Sequence, residues 1–552
     1  MPYAWAAGLA LLVGGPWLLP GYIFGTDWPG PRHLLFPDQV WSGAGWQLAL
    51  AVVSAVLGAA VTTKLLILGS LFVAALSAYK ALPIGGFIAR AAAATIYTLN
   101  PFVYGRIHYG QLVLVAAYAV LPILAMALRE LVRKPGLLGA LLTALTLTVI
   151  GMLDVHVLIP AATLTVAVGV AFAIARVRDL SYLLRLSSYA AVAAGLTLLA
   201  SAYWLIPLAR GTNQQGQFLS GFGAIDLGVF RTVPDARLGL IPNVLGLYGF
   251  WAENVSRFPS MKDFAPLWPL VLVSLLALAG VGVVANLWHP DEAFSDARPW
   301  ILALLVAGGI AAVLDLGFAE PHIRPLIQWL DATVPPYRGM RDAGKWAALI
   351  ALAYAQLVPL GAVAIVGWLR RDHRLRAVEV VPIIVGTLLV ALPIYYGNGL
   401  LFGMHGEIQP SAYPAGWYAA DRLLLADREP GTTLFLPWHL YLKFGFIKNT
   451  NAVIATPAPS FFAVPVLVSA DPEIPGMRPP NTPEQALLSR LVAARGGADW
   501  PQALSTINVK YVLLAREVDW RDYQFLDQQA GLMKVGDYGS IALYENLAWH
   551  AP

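Results

Sequence analysis

The chain has 552 residues, 58% of them hydrophobic and only 12% charged, against roughly 25% charged in a typical soluble domain. Mean hydropathy is +0.64, and 36 basic plus 32 acidic side chains cannot coat a soluble fold of this length, so the solvent is mainly lipid. Disorder, coiled coil and collagen are excluded by the same figures, and the absence of cysteine removes disulfides, thiolate nucleophiles and Cys-ligated metals. A net charge of +4 is too small to imply nucleic acid, so the placement of charges carries the information.

Residues 1–397 hold 43 charges among long apolar runs, whereas residues 398–552 hold 25 and lose those runs. The fold class expected is a polytopic α-helical membrane protein of about eleven transmembrane helices (1–397), followed by a soluble α/β domain (398–552). At about 20 apolar residues per crossing, the spans fall at 3–24, one within 47–82, then 86–103, 109–127, 137–152, 155–174, 187–208, 264–286, 299–317, 346–369 and 378–397. The stretch 47–82 reads as an interfacial segment leading into one span that ends near Lys80. With Trp-Pro in place of a small-residue cleavage site and no preceding Lys or Arg, the first span reads as a retained helix.

Three basic loops set the orientation: Arg129, Arg133 and Lys134; Arg176, Arg178 and Arg185; Arg370, Arg371, Arg374 and Arg376. All three fall on one side, which the positive-inside rule makes cytoplasmic. The loops 25–46, 104–108, 209–263 and 318–345, the turn at Asp154 and the C-terminal domain then face the exterior of the cell membrane.

The exterior turns carry cations that break this pattern. Arg106 and His108 lie in Asn100-Pro-Phe-Val-Tyr-Gly-Arg-Ile-His108, and Arg338, Arg341 and Lys345 lie in Tyr337-Arg-Gly-Met-Arg-Asp-Ala-Gly-Lys345. Arg341 and Lys345, four apart, are expected on one face of the helix that opens the next span. Cations at a helix mouth suit a lipid phosphate or pyrophosphate; an anchor to anionic headgroups, or a pair with Asp342, is the blander alternative.

Asp27, the first charge in the chain, follows span one. It reads as a general base if burial raises its pKa, or as a loop residue paired with Arg32. Asp38 in the same loop is a weaker candidate. Asp154 and His156 interrupt an apolar hairpin; they suit a sugar hydroxyl or part of a divalent-cation site with no identifiable third ligand, or simply a polar turn. The aromatic and amide-rich loop 209–263, with Tyr248 and Trp251, suits either carbohydrate or an interfacial belt.

In residues 398–552, strand-like runs occur at 432–436, 463–468, 509–514 and 540–544, and helical patterns at 415–426 and 483–495, the latter capped by Thr482-Pro. Pro437-Trp-His-Leu-Tyr441 either faces the membrane site or carries a buried Trp. No P-loop, Rossmann glycine pattern, Gly-x-Ser-x-Gly or His-Glu-x-x-His is present.

Taken together, the acidic first loop, Asn100-Pro-Phe-Val-Tyr104 with Arg106 and Gln111, Tyr203-Trp204 leading to Pro207, and the Tyr337–Lys345 motif resemble the GT-C superfamily of multi-pass glycosyltransferases. The chain is most similar to the membrane portion of cell-wall arabinofuranosyltransferases and to YfhO-like multi-pass membrane proteins. Leu434-Phe-Leu-Pro-Trp-His439, Val509-Lys-Tyr-Val-Leu513 and Leu543-Tyr-Glu545 add to this likeness. The resemblance implies inverting transfer of a sugar from a polyprenyl-phosphate donor to a glycan, lipid or glycoprotein acceptor at the exterior face. Asp27 matches the base, and Arg106, Arg338, Arg341 and Lys345 are expected at the donor phosphate. Asp38, His108, Asp154, His156, Tyr248 and Trp251 are candidate acceptor or sugar contacts. The resemblance names no organic cofactor and leaves open a divalent cation, Mg or Mn; the first loop lacks an adjacent acidic pair. Two rival functions use the same features. A flippase of lipid-linked glycans would place ionisable groups or broken helices near the midplane, whereas the charges here cluster at the exterior ends, with Asp315 near a span end a mild exception; a non-catalytic scaffold of a cell-envelope glycan pathway needs no site at all.

Overall fold

Polar interruptions decide where each apolar run stops being helical. In the computed structural model, which describes residues 1–213, 215–216, 224–254, 258–371, 380–429, 431–474 and 482–551, the first half is a helical bundle. Its helices are α1 (Pro2–Gly14), α2 (Ala44–Leu57), α3 (Ala59–Ala81), α4 (Phe87–Thr98), α5 (Pro101–Tyr109), α6 (Leu112–Arg133) and α7 (Leu137–Leu153). They continue with α8 (Val155–Ala175), α9 (Leu180–Ala209), α10 (Trp268–Trp288), α11 (Ala297–Leu316), α12 (Arg324–Thr333), α13 (Ala347–Arg371) and α14 (Val380–Tyr396). Among the described residues, α3, α6, α8, α9, α10, α11 and α13 are long and apolar enough to cross a bilayer. The other four expected spans coincide with shorter helices, α1, α4, α7 and α14.

The run 47–82 divides at Gly58, whose φ of 80° suits glycine, into a separate α2 and the single span α3. Two expected spans are corrected. The first is α-helical only to Gly14 and passes through a short 3-10 turn containing Pro16; residues 21–25 join the C-terminal domain instead. The span expected over 86–103 stops at Thr98, because Asn100 and Pro101 turn the chain. Asn100 serves both helices: its Nδ2 donates to the carbonyls of Ile96 (3.0 Å) and Tyr97 (2.8 Å), and its Oδ1 accepts from Val103 N (3.1 Å).

The two ends of the bundle differ in chemistry. At one end Arg129 forks onto Asp296 with contacts of 2.9 and 2.8 Å, joining the end of α6 to the start of α11. Arg176 nearby donates to Val132 O. Arg374 and Arg376 of the third basic loop lie outside the described residues. The opposite end carries the first loop, α5, the turn at Asp154 and residues 341–346.

In the middle, α10 and α13 cross in backbone contact. A Cβ on Gly361 would lie 1.9 Å from Leu278 O, and one on Gly282 would lie 2.2 Å from Leu357 O. Lipid supplies little hydrophobic drive between helices, so such close glycine crossings hold them by van der Waals contact.

The C-terminal domain is built on a five-stranded sheet of order β4-β1-β5-β7-β6: β1 (Thr432–Leu436), β4 (Val466–Leu467), β5 (Val509–Ala515), β6 (Leu532–Asp537) and β7 (Ile541–Asn546). β1 is parallel to β4 and β5, while β7 runs antiparallel to β5 and β6. Helices Ala415–Ala426 and Pro483–Ala493 cover opposite faces, the second capped by Thr482 Oγ1 accepting from Gln485 N at 3.2 Å. A separate hairpin pairs β2 (Tyr441–Lys443) with β3 (Val453–Ala455).

The first loop is woven into this domain. Tyr22 bridges Ser411, Phe24 packs with Tyr413, Trp417 and Phe446, and the Tyr413 hydroxyl donates to Gly30 O at 2.8 Å. Arg32 pairs with the buried Asp421, not with Asp27. The expected boundary at 397/398 is therefore a boundary in sequence that the first loop crosses in space.

Gly361→Leu is expected to lower the melting temperature of the detergent-solubilised protein, because overpacking at such a crossing costs about 1–3 kcal/mol; Gly367→Leu, where an added Cβ meets open space, should leave it near that of the parent.

Candidate functional site

Asp27 is placed by backbone. The first loop crosses the end of α5 at two glycines: a Cβ on Gly25 would lie 2.7 Å from Gly110 Cα, and one on Gly110 (φ +87°) would lie 2.7 Å from Trp28 N. With that approach made, Asp27 N donates to Tyr109 O at 2.7 Å. The side chain is then held by two donors, the Tyr441 hydroxyl on Oδ1 at 2.9 Å and Gln111 Nε2 on Oδ2 at 3.5 Å. Asp27 is exposed to solvent yet crowded by protein. Loss of hydration pushes its carboxyl up to about 6, against the opposing pull of Tyr441, Gln111, Lys345 and Arg341.

Beneath it lies a buried pair. Arg106, 1% exposed, donates to Asp342, 4% exposed, and its Nη1 also reaches Gln111 Oε1 at 2.9 Å. The guanidinium is further clasped by Phe250, 4.5 Å from the ring centroid, and by Phe102 at 5.2 Å. Gln111 thus bridges the buried Arg106 and the accessible Asp27. Burial alone would raise the Asp342 carboxyl; Arg106 and Lys345 outweigh it and hold the group below the ordinary carboxylate range.

Lys345 is buried between Asp342 and Asp154, and its charge acts on Asp27 as well. Asp154 closes the α7–α8 hairpin as an N-cap: its Oδ1 accepts from His156 N at 2.7 Å and from Val157 N at 3.3 Å, and lies 3.0 Å from His156 Nδ1. Burial works against ionisation there, but His156 and Lys345 prevail and hold the carboxyl at about 2. Arg341 lies over the Phe230 ring at 4.4 Å, with Asp226 at 3.9 Å, and faces both Tyr441 and Asp27.

Several expectations change. Arg341 and Lys345 do not share a helix face: Arg341 lies between two 3-10 turns, Pro335–Met340 and Ala343–Trp346, Lys345 lies in the second, and α13 begins only at Ala347. Arg338 turns away and donates to Asp331 O at 3.2 Å. His108 points towards Glu407, 3.9 Å away, between Tyr104 and Phe258. Asp38 lies exposed and does not join the Asp27 cluster. Tyr248 and Trp251 are core aromatics, not open sugar platforms: Tyr248 packs on Trp268 and Tyr396 beside Lys262, and Trp251 packs on Tyr109, Phe230 and Phe250. Asp315 sits in the last turn of α11, near the span end as the sequence placed it, with its carbonyl accepting from the Thr232 hydroxyl.

Asp342, Gln111 and Tyr441 were not picked as site residues from sequence. The first two lie inside the motifs that were singled out, and Tyr441 ends the segment Pro437–Tyr441, whose Trp438 is buried as the alternative reading had it.

A resident divalent cation does not fit these residues. Asp154 and His156 are turned on each other, and the Lys345 ammonium supplies the positive charge beside them. Among the described residues no three carboxylates or imidazoles gather around a common point.

Asp342→Ala would leave Arg106 charged and buried without its partner, which costs roughly 3–5 kcal/mol. A large fall in melting temperature is expected, with much of it recovered in the double variant Arg106→Met/Asp342→Leu.

The fold has known structural counterparts. The arabinofuranosyltransferase AftD from Mycobacteria, solved by cryo-electron microscopy, superposes with a TM-score of 0.61 at 15% identity over 99% of this chain and 40% of that one. Two classes of a point mutant of AftD give TM-scores of 0.57 and 0.56 at 17% and 16% identity, over 98% and 99% of this chain and 41% of each counterpart. No family model and no curated protein matches the sequence. This chain spans about two-fifths of the length of the structures it matches. The likeness is one of fold: this chain is a polytopic helical membrane protein with a C-terminal α/β domain, similar to the arabinofuranosyltransferase AftD.

Proposed function

We propose that the chain is an inverting membrane glycosyltransferase that takes a sugar from a polyprenyl-phosphate donor. The observation that carries this reading is the meeting of one accessible, oriented carboxylate with two cations at one end of a helical bundle: Asp27, held by Tyr441 and Gln111, faces Arg341 and Lys345. The AftD-like fold supports the same reaction class.

In this reading the donor's isoprenoid stays in the bilayer and its phosphate is met at headgroup depth. The acceptor hydroxyl attacks the anomeric carbon, and the bond from that carbon to the phosphate oxygen breaks. Asp27 takes the hydroxyl proton, while Arg341, with Lys345 behind it, stabilises the charge on the departing polyprenyl phosphate. Arg106 does not touch the phosphate; it acts through Asp342 and Gln111, fixing the loop that carries the cations and the amide that orients the base. Asp154 and His156 line the neighbouring wall. The site end and the C-terminal domain face the exterior, where cell-envelope glycans supply acceptors.

A carboxyl near 6 acts as a base only when it has lost its proton. Transfer is therefore expected to rise with pH through about 6 and to level off above it. Incubation of the purified protein with labelled polyprenyl-phosphate sugars tests this directly. Asp27→Asn should lower transfer about 10²–10⁴-fold, the usual worth of a general base, without lowering the melting temperature. No transfer by the parent from any such donor, or unchanged transfer by Asp27→Asn, would remove the assignment. Arg341→Ala is expected to raise KM for the donor, and an unchanged KM would return that cation to a structural role.

A further inference from the structure

The C-terminal domain touches the base through one hairpin. Its strand β3 is docked on the first loop next to Asp27: Ala455 N donates to Thr26 O at 2.8 Å, and Asn451 Nδ2 approaches Thr26 Oγ1 at 3.4 Å. Tyr441 on β2 stands opposite Ala455 in the ladder, which carries the phenol over residue 27. The charge of Arg341 also acts on this phenol.

The approach to this hairpin is pinned two residues upstream. His439 has a carboxylate on each ring nitrogen, Glu473 on Nδ1 and Asp519 on Nε2, the latter at 3.0 Å. Its own carbonyl accepts from Thr456 Oγ1 at 2.9 Å, Leu440 O accepts from Thr456 N at 2.8 Å, and the neighbouring Trp438 N donates to the Tyr523 hydroxyl at 3.0 Å. A ring bonded at both nitrogens to carboxylates from two separate segments cannot rotate without losing one of them. Residues 438–441 are thereby fixed to the sheet domain rather than left as a free loop.

We propose that Tyr441 is a positioning residue for the Asp27 carboxylate, delivered from the C-terminal domain by a hairpin that His439, Glu473 and Asp519 hold in register. The role rests on the sugar-transfer reading of Asp27. A phenol donating to Oδ1 and an amide donating to Oδ2 fix the plane of the carboxylate, so that a free lone pair meets the acceptor proton at a set angle. Misplacement by about 1 Å is worth about 10²-fold in rate. Burial, and then repulsion by Asp27, raises the Tyr441 phenol above its ordinary value, so it stays a neutral donor wherever Asp27 is ionised. The charged and titratable groups facing Asp27 are Tyr441, Lys345 and Arg341, and the phenol's hydrogen bond favours the ionised carboxylate.

Tyr441→Phe removes only the hydroxyl. Its kcat is expected to fall roughly 10²-fold with KM for the donor unchanged, and the acid limb of the pH profile should move upward from about 6, because Asp27 loses a donor to its charged form. His439→Leu should lower kcat in the parent but add nothing in the Tyr441→Phe background, since it acts through the phenol; Asp519→Asn replaces it if His439→Leu fails to fold. Unchanged kcat and pH profile in Tyr441→Phe, or additive effects of the two substitutions, would overturn the proposal. The contact is also read without activity, by melting temperatures of the parent, Asp27→Ala, Tyr441→Phe and the double variant. Non-additive shifts support it and additive shifts overturn it. If the parent transfers no sugar, the transfer reading fails and this cycle alone decides whether Tyr441 holds Asp27.

Discussion

Everything accessible at this site hangs on a charge pair that is not. Arg106 and Asp342 are both buried, come from segments more than two hundred residues apart, and neutralise each other where water does not reach. The attraction joins the short helix α5 to the turns that lead into α13, and its side branches do the rest. Through Gln111 the guanidinium orients the amide that touches Asp27, and through Asp342 it shares a carboxylate with Lys345. A pair of this kind contributes little net stability compared with apolar packing, but it is intolerant of half-removal, and that intolerance specifies one arrangement of the loops.

A division of labour among the charges follows. Arg106, Asp342 and Lys345 are inside; Asp27 is open to solvent, while Arg341, Asp154 and His156 are partly exposed. The inner group sets geometry and local potential, and the outer group is what a ligand meets. All of these lie at one end of the bundle, and Asp315, in the last turn of α11, lies at that end too. This clustering at one end is what the sugar-transfer reading proposed above requires.

Much of this was legible in the sequence because lipid imposes simple rules. Apolar run length located a helix within every expected span, and Asp154 marked a real helix junction, whereas the junction at Asn100-Pro101 was run through by the expected span. What failed were inferences about side chains in short turns. Arg341 and Lys345 are four apart, which means one face only if the segment is α-helical, and here the chain is broken between two 3-10 turns at Arg341 and Asp342. Tyr248 and Trp251 looked like open aromatic faces because composition does not distinguish a wet ring from a packed one. The strands 441–443 and 453–455 are three residues each, too short to show an alternation, and that brevity hid the hairpin that carries Tyr441. Contacts between residues hundreds of positions apart leave no mark on local pattern, and the site is made mostly of such contacts.

The weaving of residues 21–33 into the C-terminal domain bears on the order in which the protein comes into being. The first loop leaves the ribosome roughly four hundred residues before Ser411, Tyr413, Trp417 and Asp421, the groups that will hold it. Through most of synthesis and insertion it has only bundle partners such as Gly110 to rest on. The carboxylate at position 27 therefore gains its neighbours last, and a nascent chain with every crossing in place is still an unarmed one.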